Sequence, residues 1–290
     1  MTIAALLTSH NRKDLTLACL RSLYGIVPGV EVFLTDDGST DGTAEAIGQE
    51  FPKARVIRGS GNLFWSRGMR KAWCEALKGD YDYYLWLNDD QVLYKGFFEE
   101  LLECMNIQGE DCIVSGLVED FEHSRVLYGG YDEQKNMVLP NETPQPIYLL
   151  NGNIVLVPKS VVERIGILDP YYKHDLADLD YGLTAREHGI PVIATRKVVG
   201  MGYPNSPCRV RLWNSSIFKR FKKLNSPLGS PLNRNFHFRR KHFGLPHALA
   251  FCSFVVLLNV MPDWLVVLLW GDAYVDHGRT NDYQGIRSRH

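Results

Sequence analysis

The chain has 290 residues, 45% of them apolar and 11% aromatic, with 32 basic against 33 acidic side chains for a formal net charge of −1. That content supports a substantial core and excludes disorder of the whole chain; the length allows one large α/β domain, or a catalytic domain with an appendage. The small net charge hides an asymmetry, because residues 205–247 carry ten Lys or Arg and no Asp or Glu. An acidic body with a basic patch near the C-terminus points to an anionic surface as partner. Six cysteines (Cys19, Cys74, Cys104, Cys112, Cys208, Cys252) form no CxxC pair, which argues against a zinc site and fits reduced, mostly buried thiols in a cytosolic protein. Met1 to Leu7 is apolar but lacks the positive flank and cleavage site of a signal peptide, and reads as a first strand.

From residue 1 to about 110, short apolar runs alternate with helical periodicity. Strands are expected at Ile3 to Thr8, Val32 to Thr35, Arg55 to Arg58 and Tyr83 to Leu87. Helices are expected at Lys13 to Tyr24, Thr43 to Phe51, Trp65 to Leu77 and Gly96 to Met105. That rhythm predicts a parallel sheet with crossover helices. After residue 110 the order changes. Cys112 to Val118, Val126 to Tyr131, Met137 to Leu139 and Ile147 to Leu156 read as strands, Ser160 to Ile165 and Asp178 to His188 as helices, and Pro191 to Ala194 as a further strand. Residues 203–247, basic and rich in Pro, Ser and Asn, mark a domain boundary. No internal repeat is present.

Three acidic clusters stand out: Asp36-Asp37-Gly38-Ser39-Thr40-Asp41 after an apolar run, Asn88-Asp89-Asp90 after another, and Asp178-Leu179-Asp180 at the start of a helical pattern. Carboxylates at the carboxyl ends of strands converge on one crevice of an open α/β sheet. The first cluster is also explicable as a turn and helix N-cap. It is not an EF-hand, because the twelfth loop position counted from Asp37 is Gly48 where that motif needs Glu. Adjacent ionised carboxylates at Asp89 and Asp90 need compensation, and along the sequence no Lys or Arg stands nearer than Lys95. A hard cation such as Mg²⁺ or Mn²⁺, bridging to substrate phosphates, supplies it. Phosphate-loop and hydrolase motifs are absent: there is no GxxxxGK[ST] and no GxSxG, and Gly59-Ser60-Gly61-Asn62-Leu63-Phe64 breaks GxGxxG at its last position.

The stretches LLTSHNR, VFLTDDGSTDGT, GNLFWSRGMRKA, YLWLNDDQ and LADLDYGLTAREHG, in this order, resemble a family 2 glycosyltransferase of the GT-A fold over roughly residues 1–205. The resemblance implies an α/β architecture, a mixed and mainly parallel sheet flanked by helices, with residues 1–204 catalytic. The nucleotide-sugar half would span about 1–110, the acceptor half 111–204, and residues 205–290 a basic linker and apolar helices. It implies that Thr8, Ser9 and His10 lie under the nucleotide base, that Asp37 accepts a uracil or thymine N3–H, that Asp89 contacts ribose or sugar, and that Asp90 ligates Mn²⁺ or Mg²⁺. Asp178 would be the general base, with Asp180 supporting the same helix start or taking that role itself. Two departures stand out: the first DxD position is Asn88, and no histidine occurs between Ile190 and Pro207, where some members carry a metal ligand. Asn62, Trp65 and Arg67 either reach the diphosphate or merely cap a helix. Asn151-Gly152-Asn153 either lines the acceptor side or is a plain turn. The implied activity is inverting transfer from a UDP- or dTDP-sugar to a glycan hydroxyl. A nucleotidyltransferase and a non-catalytic nucleotide-sugar or glycan-binding protein are the alternatives.

Leu245 to Trp270 is the most apolar stretch, interrupted by Pro262-Asp263. A span needs about 20 apolar residues, so two short helices lying in a membrane interface fit better than one crossing helix. Phe218 to Lys223 and Phe238 to Lys241 would sit against anionic headgroups; the alternative is a hairpin packed on protein. The expectation is a peripheral protein on the inner face of the cell membrane with a lipid-linked saccharide acceptor. No nucleic-acid recognition motif accompanies the basic charge.

Overall fold

The computed structural model describes residues 1–109, 111–204 and 211–271. The chain divides into two units, Met1–Asn205 and Ser206–His290.

The first unit opens with β1 (Ile3–Ser9), α1 (Lys13–Ile26), β2 (Glu31–Asp36), α2 (Thr43–Glu50), β3 (Arg55–Arg58), α3 (Phe64–Ala76) and β4 (Tyr83–Leu87). The strands pair in parallel in the order β3-β2-β1-β4. Ala4, Ala5, Leu6 and Leu7 are all fully buried, the unalternating pattern of a strand covered on both faces. Leu17, Leu20 and Leu23 of α1 pack against one side of the sheet. Trp73 of α3 meets Trp86 and Tyr84 of β4 at ring-centroid distances of 5.4 and 5.7 Å.

The remaining elements are β5 (Val92–Leu93), α4 (Phe97–Gln108), β6 (Ile113–Asp120), β7 (Val126–Tyr128), β8 (Gly130–Tyr131), β9 (Gln145–Pro146), β10 (Leu149–Leu150), β11 (Ile154–Pro158), α5 (Lys159–Ile165), α6 (Ala177–Glu187) and β12 (Val192–Gly202). They extend the sheet to β4-β11-β6-β12-β5, with β11 antiparallel to both its neighbours and β12 parallel to β6. A buried ion pair ties α4 to β12. Glu100 accepts from Arg196 Nε at 3.0 Å and Nη2 at 2.8 Å. Burial alone would raise this carboxyl, but the bonds from Arg196, Cys104 and Lys197 hold it down at about 2.

Several boundaries differ from the sequence expectation. The strand expected at Ile147 to Leu156 is two, β10 and β11, because Asn151-Gly152-Asn153 is drawn into side-chain bonds described below. Met137 makes only an isolated bridge to Tyr131, and Val126 to Tyr131 breaks at Gly129. The two-residue β5 carries no periodicity to read.

In the second unit, α7 (Ile217–Leu224) and α8 (Leu232–Phe243) occupy a stretch whose composition reads as linker. Ser216 caps α7, accepting from Lys219 N. The apolar segment forms α9 (Leu245–Val260) and α10 (Asp263–Trp270), separated at Met261-Pro262 where Pro has no N–H to continue the helix. Arg220 Nη2 donates to Asp263 at 2.6 Å, and Arg211 pairs with the same carboxylate. Arg239 of α8 lies over the Phe251 ring of α9 at 3.4 Å from its centroid. Among the described residues no helix is long and apolar enough to cross a membrane. Yet Phe218 is 88% exposed, Trp264 67% and Leu268 72%.

Candidate active site

The parallel register levels the ends of β1, β2 and β4, with Ser9 beside Asp36 and Leu6 beside Trp86. The loops that follow therefore meet. Asp37 N donates to Ser9 O at 2.8 Å and Gly59 N to Asp36 O at 2.7 Å. The buried Asp37 carboxylate accepts three backbone amides: Gly61 N at 2.8 Å, Leu63 N at 2.8 Å and Phe64 N at 2.9 Å. Close approach requires glycine here. A Cβ on Gly59 would lie 2.6 Å from Asp37 Oδ1, and one on Gly38 (φ +73°) 2.9 Å from Gly61 Cα. Asp41 accepts from Lys13 N and Thr43 N, and Asp36 Oδ1 from Ser39 N, so the first cluster is in part the turn its composition allows, while Gly42 stands at the N-cap of α2 with no side-chain bond. Asp37 keeps one lone-pair direction beyond its three amides.

His10 Nδ1 bonds Asp37 O at 2.7 Å, Ser9 Oγ bonds Thr16 Oγ1 at 2.8 Å, and Thr8 packs where a Cβ on Gly68 would fall 2.2 Å from its Oγ1. Thr8 is thereby held against α3, with Ser9 and His10 at the mouth of the same loops.

Asp89 and Asp90 are each 5% exposed. Their compensating charge is neither Lys95 nor any near neighbour. Arg12, in the loop between β1 and α1, donates from Nη1 to Asp89 Oδ1 at 3.2 Å and to Asp90 Oδ2 at 2.8 Å. Gln91 Nε2 donates to Asp90 Oδ1 at 2.8 Å. Burial pushes Asp89 up to about 6, with Arg12 opposing and Asp90 adding to the rise. One guanidinium against two carboxylates leaves the pair short of positive charge.

Antiparallel β11 sets Asn153 beside Asn88, whose N donates to Asn153 O at 2.9 Å. Asn88 Nδ2 donates to Asn153 Oδ1 at 2.7 Å, and Trp65 Nε1 to Asn88 Oδ1 at 2.7 Å. Asn153 Nδ2 donates to Asn151 Oδ1. The Trp65 ring abuts Gly152, where an added Cβ would fall 2.7 Å from it. Gly152 N in turn donates to Asp178 Oδ2 at 3.1 Å.

Asp178 sits in the first turn of α6, where its Oδ1 also accepts Leu179 N at 2.9 Å. Burial raises its pKa, and the Leu179 and Gly152 amides only partly offset that. Asp180 differs. It is 3% exposed and accepts the Tyr172 hydroxyl at 3.0 Å, and residues two apart on a helix do not share a face.

The structure thus joins Trp65, Asn88, Asn151, Gly152 and Asp178 in one network and Ser9, Asp89 and Asp90 in another, and Gln91 Nε2 links the two by donating to Asp90 Oδ1 at 2.8 Å and to Asn153 Oδ1 at 3.3 Å. Asn62 lies outside both, bonded to Lys173 Nζ at 2.6 Å, and Arg67 is exposed on α3. Arg12, Thr16 and Gln91 belong to the networks but were not singled out in sequence. Arg12 had one signal, its place in LLTSHNR, directly after the first strand.

This sheet order, with an acidic site at its carboxyl edge, is the GT-A fold of glycosyltransferases. The glycosyl transferase family 2 model matches residues 5–166, more than half the chain, and the chain belongs to that family. Solved structures agree on the fold. TarS of S. aureus is 16% identical with a TM-score of 0.54, over 71% of this chain and 37% of that one. The mannosyltransferase PcManGT from Pyrobaculum calidifontis, in complex with GDP-Man and Mn²⁺, is 14% identical with a TM-score of 0.54, over 92% and 78%. GalNAc-T7 with UDP, GalNAc and Mn²⁺ is 13% identical with a TM-score of 0.57, over 89% and 57%. This chain therefore spans little more than a third of TarS. No curated protein matches it.

The residues at Asp89-Asp90 suit a divalent cation in donor type. They supply two carboxylates, and Gln91 Oε1 is buried without a hydrogen-bond partner, all hard oxygens. No cluster of three His, Cys, Asp or Glu that could hold a metal ion occurs among the described residues.

Proposed function

We propose that the chain is an inverting glycosyltransferase that moves a sugar from a UDP- or dTDP-sugar to a hydroxyl of a lipid-linked glycan, in cell-surface polysaccharide synthesis. One observation carries the reading: Asp178, a carboxylate raised by burial and bonded only to amides among the described residues, is joined through Gly152 and Trp65 to the Asn88-Asp89-Asp90 strand end. In this reading Asp178 takes the proton of the acceptor hydroxyl as its oxygen attacks the anomeric carbon. The bond from that carbon to the diphosphate breaks with its electron pair leaving on the diphosphate, and the anomeric configuration inverts. Asp89 and Asp90 would hold Mn²⁺ or Mg²⁺, which when bound neutralises charge on the leaving diphosphate. The Asp37 loop and His10 would border the base, and Trp65 would set the wall between donor and acceptor. Asp180 is assigned to positioning α6.

The test is titration calorimetry of the full chain against UDP-, dTDP- and GDP-sugars with Mn²⁺. Tight binding of a UDP- or dTDP-sugar is expected. A protein that binds none would refute the reading.

We further propose that the second unit contacts an anionic membrane surface from the cytoplasmic side. The exposed Phe218, Trp264, Leu268 and Leu269 beside the basic α7 and α8 support this. The full chain is expected to co-sediment with vesicles containing anionic phospholipid, and Trp264→Asp combined with Leu268→Asp to weaken that by about tenfold or more, on the scale of interfacial apolar burial. A wild-type chain left in the supernatant contradicts the proposal.

A further inference from the structure

We propose that Arg12 is a displaceable counter-cation of the Asp89-Asp90 pair, which leaves when a divalent metal binds and thereby couples metal binding to the donor's diphosphate. This rests on the reading that the site takes a nucleotide-diphospho-sugar.

A single nitrogen, Nη1, reaches both carboxylates, at 3.2 and 2.8 Å. The two acids are buried, 6% and 4% exposed in their side chains, while the Arg12 side chain is 43% exposed. The cation therefore stands at the mouth of a buried anionic pair. Its backbone is anchored apart from this contact, since Arg12 O accepts Thr16 N at 2.9 Å and Thr16 Oγ1 at 2.9 Å. The side chain can depart without unfastening the start of α1. Among the described residues Nε and Nη2 have no protein acceptor, and a planar guanidinium fork matches a phosphate in two-pronged fashion.

Charge decides the order of events. Two carboxylates with one guanidinium carry −1. Adding a divalent cation while Arg12 stays gives +1 and places two cations on the same oxygens, which repel. A diphosphate removes that conflict by accepting both the metal and the released guanidinium. Metal and nucleotide should therefore each strengthen the other's binding, and by the same factor.

The experiment measures Mn²⁺ affinity of the full chain by electron paramagnetic resonance of free Mn²⁺, with and without saturating UDP. For wild type, UDP is expected to tighten Mn²⁺ binding by about 30-fold, within the usual range of coupling between sites. Arg12→Gln is expected to bind Mn²⁺ about tenfold more tightly than wild type without UDP, and to reduce the effect of UDP to about threefold or less. Arg12→Lys keeps the charge but loses the planar fork, and should fall between the two. Thermal melting checks that each variant is folded; should Arg12→Gln fail that check, Arg12→Lys carries the comparison with the same expected direction. Nucleotide-free Mn²⁺ affinity that is unchanged or weaker in these variants overturns the proposal. Mn²⁺ that binds neither wild type nor variant even with UDP overturns the metal reading of the site itself, a separate failure.

Discussion

Asp37→Ala is expected to destabilise the first unit by about 3 kcal/mol, because buried donors left without an acceptor cost about 1–3 kcal/mol each. Three amides, those of Gly61, Leu63 and Phe64, lose their acceptor at once. Phe64 lies at φ +59°, a conformation a bulky residue holds only when its surroundings demand it, and one of these bonds is its own. Losing the staple should therefore release residues 59–64 and the start of α3, and UDP affinity should fall with stability. Urea denaturation followed by tryptophan fluorescence gives the stability term, and calorimetry the UDP term. Asp37→Asn keeps one acceptor oxygen and should recover part of the loss. If stability stays at the wild-type value while UDP binding disappears, the carboxylate serves the nucleotide and not the loop.

Asp178→Asn is expected to lower the transfer rate about 10³-fold, within the range for a positioned general base, with donor affinity changed less than about threefold, since nothing assigns Asp178 to donor binding. The amide is nearly isosteric but has one acceptor oxygen where the carboxylate uses two, so it keeps the bond from Gly152 N or from Leu179 N and loses the other; thermal melting checks that the variant is folded. It cannot take a proton. Single-turnover transfer separates chemistry from binding. A loss confined to donor affinity, with the transfer step intact, would remove Asp178 from the base role. The equivalent change at Asp180 should instead show as lost stability, since Asp180 is buried against the Tyr172 hydroxyl.

The parallel half of the fold was legible because its strands are apolar on both faces, as at Ala4 to Leu7, and are separated by helices of clear period. The abrupt step from Leu87 to Asn88-Asp89-Asp90 marked the strand end where the candidate site lies. Pairings across long sequence separation were not legible. Arg12 and Asp90 lie 78 residues apart, and only the register of β1 with β4 brings them together, so Lys95 was the nearest charge in sequence but not in space. Asn153 reaches Asn88 because β11 runs antiparallel to β4, a direction that its apolar run does not encode. The proposal of Asp178 over Asp180 as the base rests on the Tyr172 hydroxyl bonded to Asp180, a contact that no spacing announced. Helix α7 did carry a signal, Ser216 followed by Ile217, Phe221 and Leu224 at helical spacing, but the density of Lys and Arg around it resembles a solvated linker.

The most direct test of the account is the stereochemistry of transfer. Incubating the full chain with the nucleotide sugar it binds, Mn²⁺ and a lipid-linked acceptor, and reading the anomeric configuration of the product by NMR, should give a single product inverted relative to the donor. A retained configuration would contradict direct attack assisted by Asp178. Release of pyrophosphate in place of a nucleoside diphosphate would contradict glycosyl transfer altogether.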